Sequence, residues 1–189
     1  MNKRRLYTPG PTPVPPDATL AMAQPIDYHR SEDASATFRR CADAMKTVVG
    51  TTSDVAIITS SGTGAMEAAV ANLLSAGDKA IVIESGKFGE RWGEIAAAYG
   101  VEVVRVVVEW GASVDPSAIE TQLRRHADAR AVFATLCETS TGALHDIQAL
   151  ATITQGGETL LVVDAVSALG ADELYMDAWG VDAVVSCSQ

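Results

Sequence analysis

The sequence predicts an α/β fold in which a mostly parallel β-sheet is sandwiched between helices. Six short apolar runs have the length of buried strands, and stretches with a helical pattern of apolar residues lie between the first five of them. Strands that alternate with helices form βαβ crossovers, which give a parallel sheet covered on both faces. Because ligands bind such sheets at the carboxyl ends of the strands, we expect the functional residues there.

The elements follow in chain order. The predicted strands are residues 55–58, 80–83, 103–108, 131–136, 160–163 and 183–185. The predicted helices are residues 31–49, 64–74, 90–99, 116–126 and 147–154. Five of the seven prolines lie in residues 7–16, which rules out a helix there. We therefore expect an extended N-terminal arm over residues 1–16 and a single domain over residues 17–189.

Composition excludes several function classes. At a net charge of −10, the chain lacks the clustered Lys and Arg that neutralise phosphates, so we expect no nucleic-acid binding. No apolar run approaches the roughly 20 residues of a membrane span, so we expect no membrane partner. Three widely spaced cysteines (Cys41, Cys137 and Cys187) indicate free thiols in a reducing compartment and predict a cytoplasmic protein. No histidine pair has metal-ligand spacing, and no nucleophile has an evident base nearby, so we assign no metal and no triad.

Small and hydroxyl side chains mark a candidate phosphate site after the first predicted strand. Residues 59–65 (TSSGTGA) let the backbone approach a ligand closely, and a helix begins within them. The first turn of a helix offers unpaired N–H groups at its positive end. No Lys follows the glycines, and Glu67 occupies the last position of a GxGxxG pattern, so neither a P-loop nor a dinucleotide fingerprint is present. A tight turn with Ser or Thr capping explains this stretch equally well.

Three further candidates follow predicted strands. Asp164 ends an apolar run, and it could bind magnesium, a ribose hydroxyl or a protonated ring nitrogen, or simply cap the structure. Phe88 lies in a glycine-flanked loop and could stack on a planar cofactor, although a lone Phe is more often a core residue. The polar loop of residues 137–142 lies at the same edge, and it also fits an ordinary Ser/Thr-rich turn.

The order and spacing of these segments resemble the class V aminotransferases of pyridoxal-phosphate (PLP) fold-type I. The resemblance is strongest to the alanine–glyoxylate and serine–glyoxylate aminotransferase group, and it runs nearly end to end. It implies that residues 17–189 form the N-terminal part of the large PLP-binding domain. The matching segments are residues 8–15 (TPGPTPVP), 29–30 (HR), 61–68 (SGTGAMEA), 86–91 (GKFGER), 138–142 (ETSTG), 163–170 (VDAVSALG) and 182–189 (DAVVSCSQ).

The resemblance implies PLP as the cofactor and gives the candidate residues their roles. Thr63 and Gly64 would hold the phosphate, and Phe88 would stack on the pyridine ring. Thr139 would bond the ring hydroxyl. Asp164, the one catalytic residue that the resemblance places within this chain, would pair with the ring nitrogen.

The resemblance also concerns the two ends of the chain. Gln189 would help to bind the phosphate, and Gly10 would lie near the substrate carboxylate. Ala65 departs from the family pattern, because some relatives carry a His there. Family chains are about twice as long, and we expect the Schiff-base lysine as the next residue after Gln189. The rest of the large domain and the small domain would follow.

The implied reaction is ping-pong transamination by Schiff-base chemistry. It would move an amino group from a small amino acid, of the alanine or serine type, to a 2-oxo acid such as glyoxylate or pyruvate. The resemblance also implies a homodimer whose sites form at the two-fold interface. Three alternatives stay open: another class V PLP enzyme such as a cysteine desulfurase or lyase, a non-catalytic subunit that keeps the scaffold, and a nucleotide-binding α/β domain. Phe88 and the proline arm disfavour the first, and the missing phosphate fingerprints disfavour the third.

Overall fold

A five-stranded parallel sheet forms the centre of the computed structural model, which describes residues 6–188. Seven strands are present in the described residues, five of them in this sheet: β1 (Lys79–Glu84), β2 (Glu102–Val107), β3 (Ala129–Thr135), β4 (Cys137–Glu138), β5 (Ala143–Leu144), β6 (Leu160–Asp164) and β7 (Ala183–Val185). The parallel sheet has the order β2-β1-β3-β6-β7, while β4 and β5 form a separate antiparallel pair. The predicted α/β class with a mostly parallel sheet is confirmed.

Seven helices are seen in the described part of the chain. They are α1 (Pro16–Met22), α2 (Glu32–Val49), α3 (Gly62–Leu73), α4 (Lys87–Ala98), α5 (Pro116–Arg125), α6 (Ile147–Thr154) and α7 (Met176–Trp179). All five predicted helices form, with ends that differ by a few residues, whereas α1 and α7 were not predicted. Among residues 6–188, none of the helices combines the length and the apolar character that a bilayer span requires.

The extended arm ends one residue earlier than predicted. Pro16 is the first residue of α1, a position that suits proline because the N–H that it lacks would have no partner inside the helix. Residues 6–15 form no helix or strand and are exposed. The first five residues of the predicted arm lie outside the described residues.

The helices cover both faces of the sheet, as the alternation of strands and helices predicts. On one face, α3 and α4 pack a core that contains Met66, Val70, Trp92, Val82, Phe133 and Val162. On the other face, α5 and α6 pack a core that contains Ile119, Leu150, Ile81, Val132, Leu161 and Val163. Side chains alternate between the faces along each strand, so neighbouring residues such as Val162 and Val163 enter different cores.

The predicted strand at residues 55–58 is wrong. This segment has no regular secondary structure, and Ile57 and Ile58 are nearly half exposed. A strand needs a neighbour that takes up its backbone hydrogen bonds. Within residues 6–188 no strand lies beside this segment, since the sheet ends at β7, which pairs with β6. The candidate phosphate site therefore follows an irregular segment instead of a strand.

Candidate functional site

Asp164 is the last residue of β6, and its carboxylate is buried at the carboxyl edge of the sheet, with 2% of the residue exposed. The Val166 N–H donates to its Oδ1 over 2.8 Å, and no cation of the described chain forms an ion pair with it. Loss of solvation raises the pKa of the Asp164 carboxyl to about 6. The Val166 N–H opposes this rise, and the negative charge of Glu138 adds to it. A cationic group bound here would stabilise the ionised carboxylate.

The Asp164 side chain lies on the sheet face that α3 and α4 cover. Val162, two residues earlier in β6, enters the core on that face. Thr135 pairs with Asp164 across the β3–β6 ladder, and its buried Oγ1 has no hydrogen-bond partner within residues 6–188. A buried hydroxyl without a partner is costly, so this edge of the sheet is suited to a polar ligand.

The start of α3 lies at the same edge. Gly64 N–H donates to Oγ of the capping residue Ser61 over 3.4 Å. A Cβ on Gly62 would lie 3.2 Å from Cγ2 of Val166 and 3.4 Å from Sγ of Cys187, so α3 starts in close contact with the loop that follows Asp164. A Cβ on Gly64 would collide with Ser60. The start of α3 and the loop that follows Asp164 are therefore neighbours at this edge of the sheet.

A cation that the sequence did not reveal reaches this helix end. Arg91, in α4, donates from Nη1 to Oγ1 of Thr63 over 3.0 Å. Within the described chain the Arg91 guanidinium forms no ion pair with a carboxylate. A positive charge beside the N-terminus of a helix favours an anion. The sequence includes Arg91 in the matching segment of residues 86–91 but gives no sign that α4 passes beside the start of α3.

Phe88 lies in the first turn of α4 and not in a loop, which corrects the sequence-based placement. The residue before this turn is Gly86, which has no side chain that could accept the N–H groups of the first turn. The cap is the carboxylate of Glu138, which accepts the N–H groups of Phe88 and Gly89. Phe88 is half-buried and stands one turn before Trp92 on α4, on the side that faces the sheet.

Thr139 follows β4 and is partly buried. Its Oγ1 lies 2.5 Å from Oγ of Ser167, which belongs to the loop after Asp164. That loop therefore contacts both the start of α3, through Val166, and the Thr139 hydroxyl. The structure thus brings Thr63, Gly64, Thr139 and Asp164 to one edge of the sheet.

Of the remaining predicted site residues, Gly10 lies on the arm and Gln189 is not described. Gly10 is exposed on the arm, and within residues 6–188 no hydrogen bond joins it to the other candidates. Gln189, the predicted phosphate contact, lies outside the described residues. Among the residues that the structure describes, no group of three or more His, Cys, Asp or Glu side chains could hold a metal ion.

Ser85 and His145 form a buried pair that the sequence analysis did not find. Ser85 Oγ lies 2.7 Å from His145 Nε2, and Val114 N–H donates to His145 Nδ1 over 3.0 Å. Because Nδ1 accepts a hydrogen bond, the proton of the neutral ring is on Nε2, which donates to Ser85. Burial lowers the pKa of His145 and favours this neutral form. His145 therefore holds Ser85 in place and does not act as a base toward it.

The profile of the family described as "Aminotransferase class-V" matches residues 18–189. The chain belongs to the class V aminotransferase family. This family is PLP-dependent in general. A chain described as "Soluble hydrogenase, small subunit" from a Synechococcus species is 40% identical over all of this chain and 50% of its own length. An L-aspartate–glyoxylate aminotransferase of Paracoccus denitrificans is 35% identical over 97% of this chain and 48% of its own length.

The solved structure of an alanine–glyoxylate aminotransferase from a Nostoc species superposes on this class V chain with a TM-score of 0.94. The two sequences are 32% identical, and the match covers 100% of this chain and 50% of the other. The chain thus spans about half the length of the relatives that it matches. Its sheet and helices form the fold of the fold-type I PLP aminotransferases.

In the cofactor-free protein, we expect Asp164→Asn to raise stability at pH 8 but not at pH 4. The folded pKa of about 6 exceeds the ordinary value of 3.8, so the folded state binds more protons between these pH values. Stability is then lost as the pH rises from about 4 to about 6, and the total is about 3 kcal/mol. Urea unfolding of the wild type and variant at several pH values measures this. If the variant were more stable than the wild type by the same free energy of unfolding at every pH, the raised pKa of Asp164 would be contradicted.

Proposed function

We propose that this chain is the cofactor-binding half of a PLP-dependent aminotransferase. The observation that carries the proposal is the buried carboxylate of Asp164, which has no cationic partner within residues 6–188 and lies at the ligand-binding edge of a parallel sheet. A protonated ring nitrogen is a cation that fits this position. The family and the relatives named as aminotransferases support the same function.

The chemistry of the site fits the separate parts of PLP. The start of α3, with the Arg91 guanidinium beside it, suits the phosphate, and Thr63 and Gly64 would bind it there. Phe88 would cover one face of the ring. Thr139 would bond the ring hydroxyl, and Asp164 would bond the ring nitrogen.

PLP, when bound, supplies an electron sink for the bonds at the α-carbon of an amino acid. Asp164 would hold a proton on the ring nitrogen, because its charge acts where water is largely excluded. Thr63 accepts a hydrogen bond from Arg91, so its own hydroxyl proton is available to a phosphate oxygen. Gln189 would add a phosphate contact, and Gly10 would approach the substrate carboxylate.

The proposed substrates are a small amino acid of the alanine or serine type and a 2-oxo acid such as glyoxylate or pyruvate. The names of the Paracoccus and Nostoc proteins share glyoxylate and differ in the amino donor, which supports glyoxylate as the acceptor more strongly than any one donor. We also propose a cytoplasmic location, since the three cysteines are free thiols, as is usual in a reducing compartment.

In the full-length enzyme, Asp164→Asn should still bind PLP but react about 10²–10³-fold more slowly with the amino donor. The variant keeps an acceptor for the Val166 N–H but loses the charge that holds the ring proton. The rate is measured from the change in the spectrum of bound PLP after alanine or serine is added. A variant that binds PLP normally and reacts within a few-fold of the wild type would contradict the role of Asp164.

We further propose that the enzyme is a homodimer and that residues 6–30 lie against the partner subunit. Every one of these residues is exposed, including the apolar side chains of Leu20, Met22 and Ile26. In α2, which follows, the only buried residue is Val49, and Phe38 is half exposed. So much apolar surface over consecutive elements is typical of a protein–protein contact.

Sedimentation of the full-length protein tests this assembly. We expect a dimer, which Ile26→Asp should weaken at least about tenfold, because the two-fold axis repeats the buried charge in both subunits. The matched control is Val107→Asp, which places the same charge on another exposed apolar residue. Val107 lies in β2, an edge strand of the sheet, and not in residues 6–30. A stable wild-type monomer with full activity would contradict the proposal.

A non-catalytic subunit that keeps the scaffold is the second candidate. The Synechococcus relative carries the name of a hydrogenase subunit, not that of an aminotransferase. PLP uptake separates the two functions. Full-length protein that binds PLP and transfers the amino group of alanine or serine to glyoxylate supports the aminotransferase, whereas protein that takes up no PLP supports the subunit.

A further inference from the structure

Glu138 is a fully buried carboxylate beside the proposed cofactor site, and none of the sequence-based roles uses it. Its Oε2 accepts the N–H groups of Phe88, over 3.2 Å, and Gly89, over 3.0 Å. Its Oε1 accepts the N–H of Ser140 over 3.1 Å and the hydroxyl of Ser140 over 2.7 Å. One side chain thus caps the start of α4 and fixes the turn that follows β4.

The two segments that Glu138 joins are 50 residues apart in the sequence and carry two proposed cofactor contacts. Phe88 is bonded to the carboxylate directly, and Thr139 stands between Glu138 and Ser140. Ser140 adds a second connection, because its Oγ accepts the N–H of Lys87 over 3.0 Å. The fit is tight, since a Cβ on Gly86 would lie 2.6 Å from Cγ of Glu138.

Glu138 also acts on Asp164, the proposed partner of the ring nitrogen. Within residues 6–188 no Lys or Arg pairs with Glu138, and its carboxylate is held by hydrogen bonds from Phe88, Gly89 and Ser140. Its field reaches Asp164, where it raises the pKa of the carboxyl.

We propose that Glu138 is a positioning residue that sets the separation of Phe88 and Thr139 at the cofactor site. This inference rests on the proposed function, because the cofactor is PLP. A change in the cap would move the stacking side chain and the hydroxyl relative to each other. Displacements of about 1 Å in a site of this kind cost on the order of 10²-fold in rate.

The test is Glu138→Gln in the full-length protein, with three measurements. The variant keeps the size of the side chain, but its NH₂ group faces backbone N–H donors and the charge is gone. We expect PLP to dissociate at least about tenfold more readily, since that corresponds to the loss of about one charge-assisted hydrogen bond. The visible circular dichroism per bound PLP should fall, and the rate with alanine or serine should drop by on the order of 10²-fold.

Asp115→Asn is the matched control, because it alters a carboxylate that caps α5, on the opposite face of the sheet. Because Asn caps a helix about as well as Asp, we expect little change in its melting temperature and none in its PLP affinity or circular dichroism. If Glu138→Gln behaves in the same way, the carboxylate is only a helix cap and the inference is overturned. If Glu138→Gln does not fold, Ser140→Ala removes one bond to Glu138 and one to Lys87. It should then change the circular dichroism in the same direction, and an unchanged signal would overturn the inference.

The wild type separates this inference from the proposed function. Wild-type protein that takes up no PLP contradicts the proposed function and the role of Glu138 with it. Wild-type protein that binds PLP normally, together with a Glu138→Gln variant of unchanged circular dichroism, contradicts the role of Glu138 alone.

Discussion

The buried charge of Asp164 is the constraint on which the site depends. The residue ends β6 between β3 and β7, and the ladder holds its backbone on both sides, since Leu136 N–H donates to the Asp164 carbonyl and Ala165 N–H donates to Val185. The backbone of Asp164 is therefore fixed at the edge of the sheet, and a single backbone N–H is the hydrogen-bond donor to its carboxylate within residues 6–188. A buried carboxylate of this kind is often found where a ligand binds, and in the proposed function a protonated ring nitrogen would compensate it.

The loop that follows Asp164 organises the remaining contacts. Val166 lies against the start of α3, and Ser167 is bonded to Thr139. Glu138 joins the turn at Thr139 to the start of α4. Arg91 of α4 donates a hydrogen bond to Thr63 on α3. The chain of contacts closes on itself, so the start of α3, the start of α4 with Phe88, and the Asp164 carboxylate are held in one arrangement.

The sheet and its helices could be predicted from the sequence, because strand length and apolar periodicity are local properties, whereas the roles of the site residues rest on the family resemblance and stay predictions. Asp164 is predictable in this way, since it directly follows an apolar strand. The start of α4 could not be predicted in this way, because its cap is the distant residue Glu138 and no local signal marks the helix start. The pairing of Ser85 with His145 likewise depends on contacts between distant segments. Residues 55–58 have the pattern of a strand, but a strand also needs a neighbour, which the pattern cannot supply.

The protonation of the ring nitrogen tests the central claim most directly. PLP labelled with ¹⁵N in the ring can be bound to the full-length protein, and the ¹⁵N chemical shift reports whether that nitrogen carries a proton. We predict a protonated nitrogen in the wild type at pH 8 and a neutral one in Asp164→Asn at the same pH, with PLP bound in both. Equal shifts in the two proteins would contradict the pairing of Asp164 with the ring and, with it, the proposed organisation of the site.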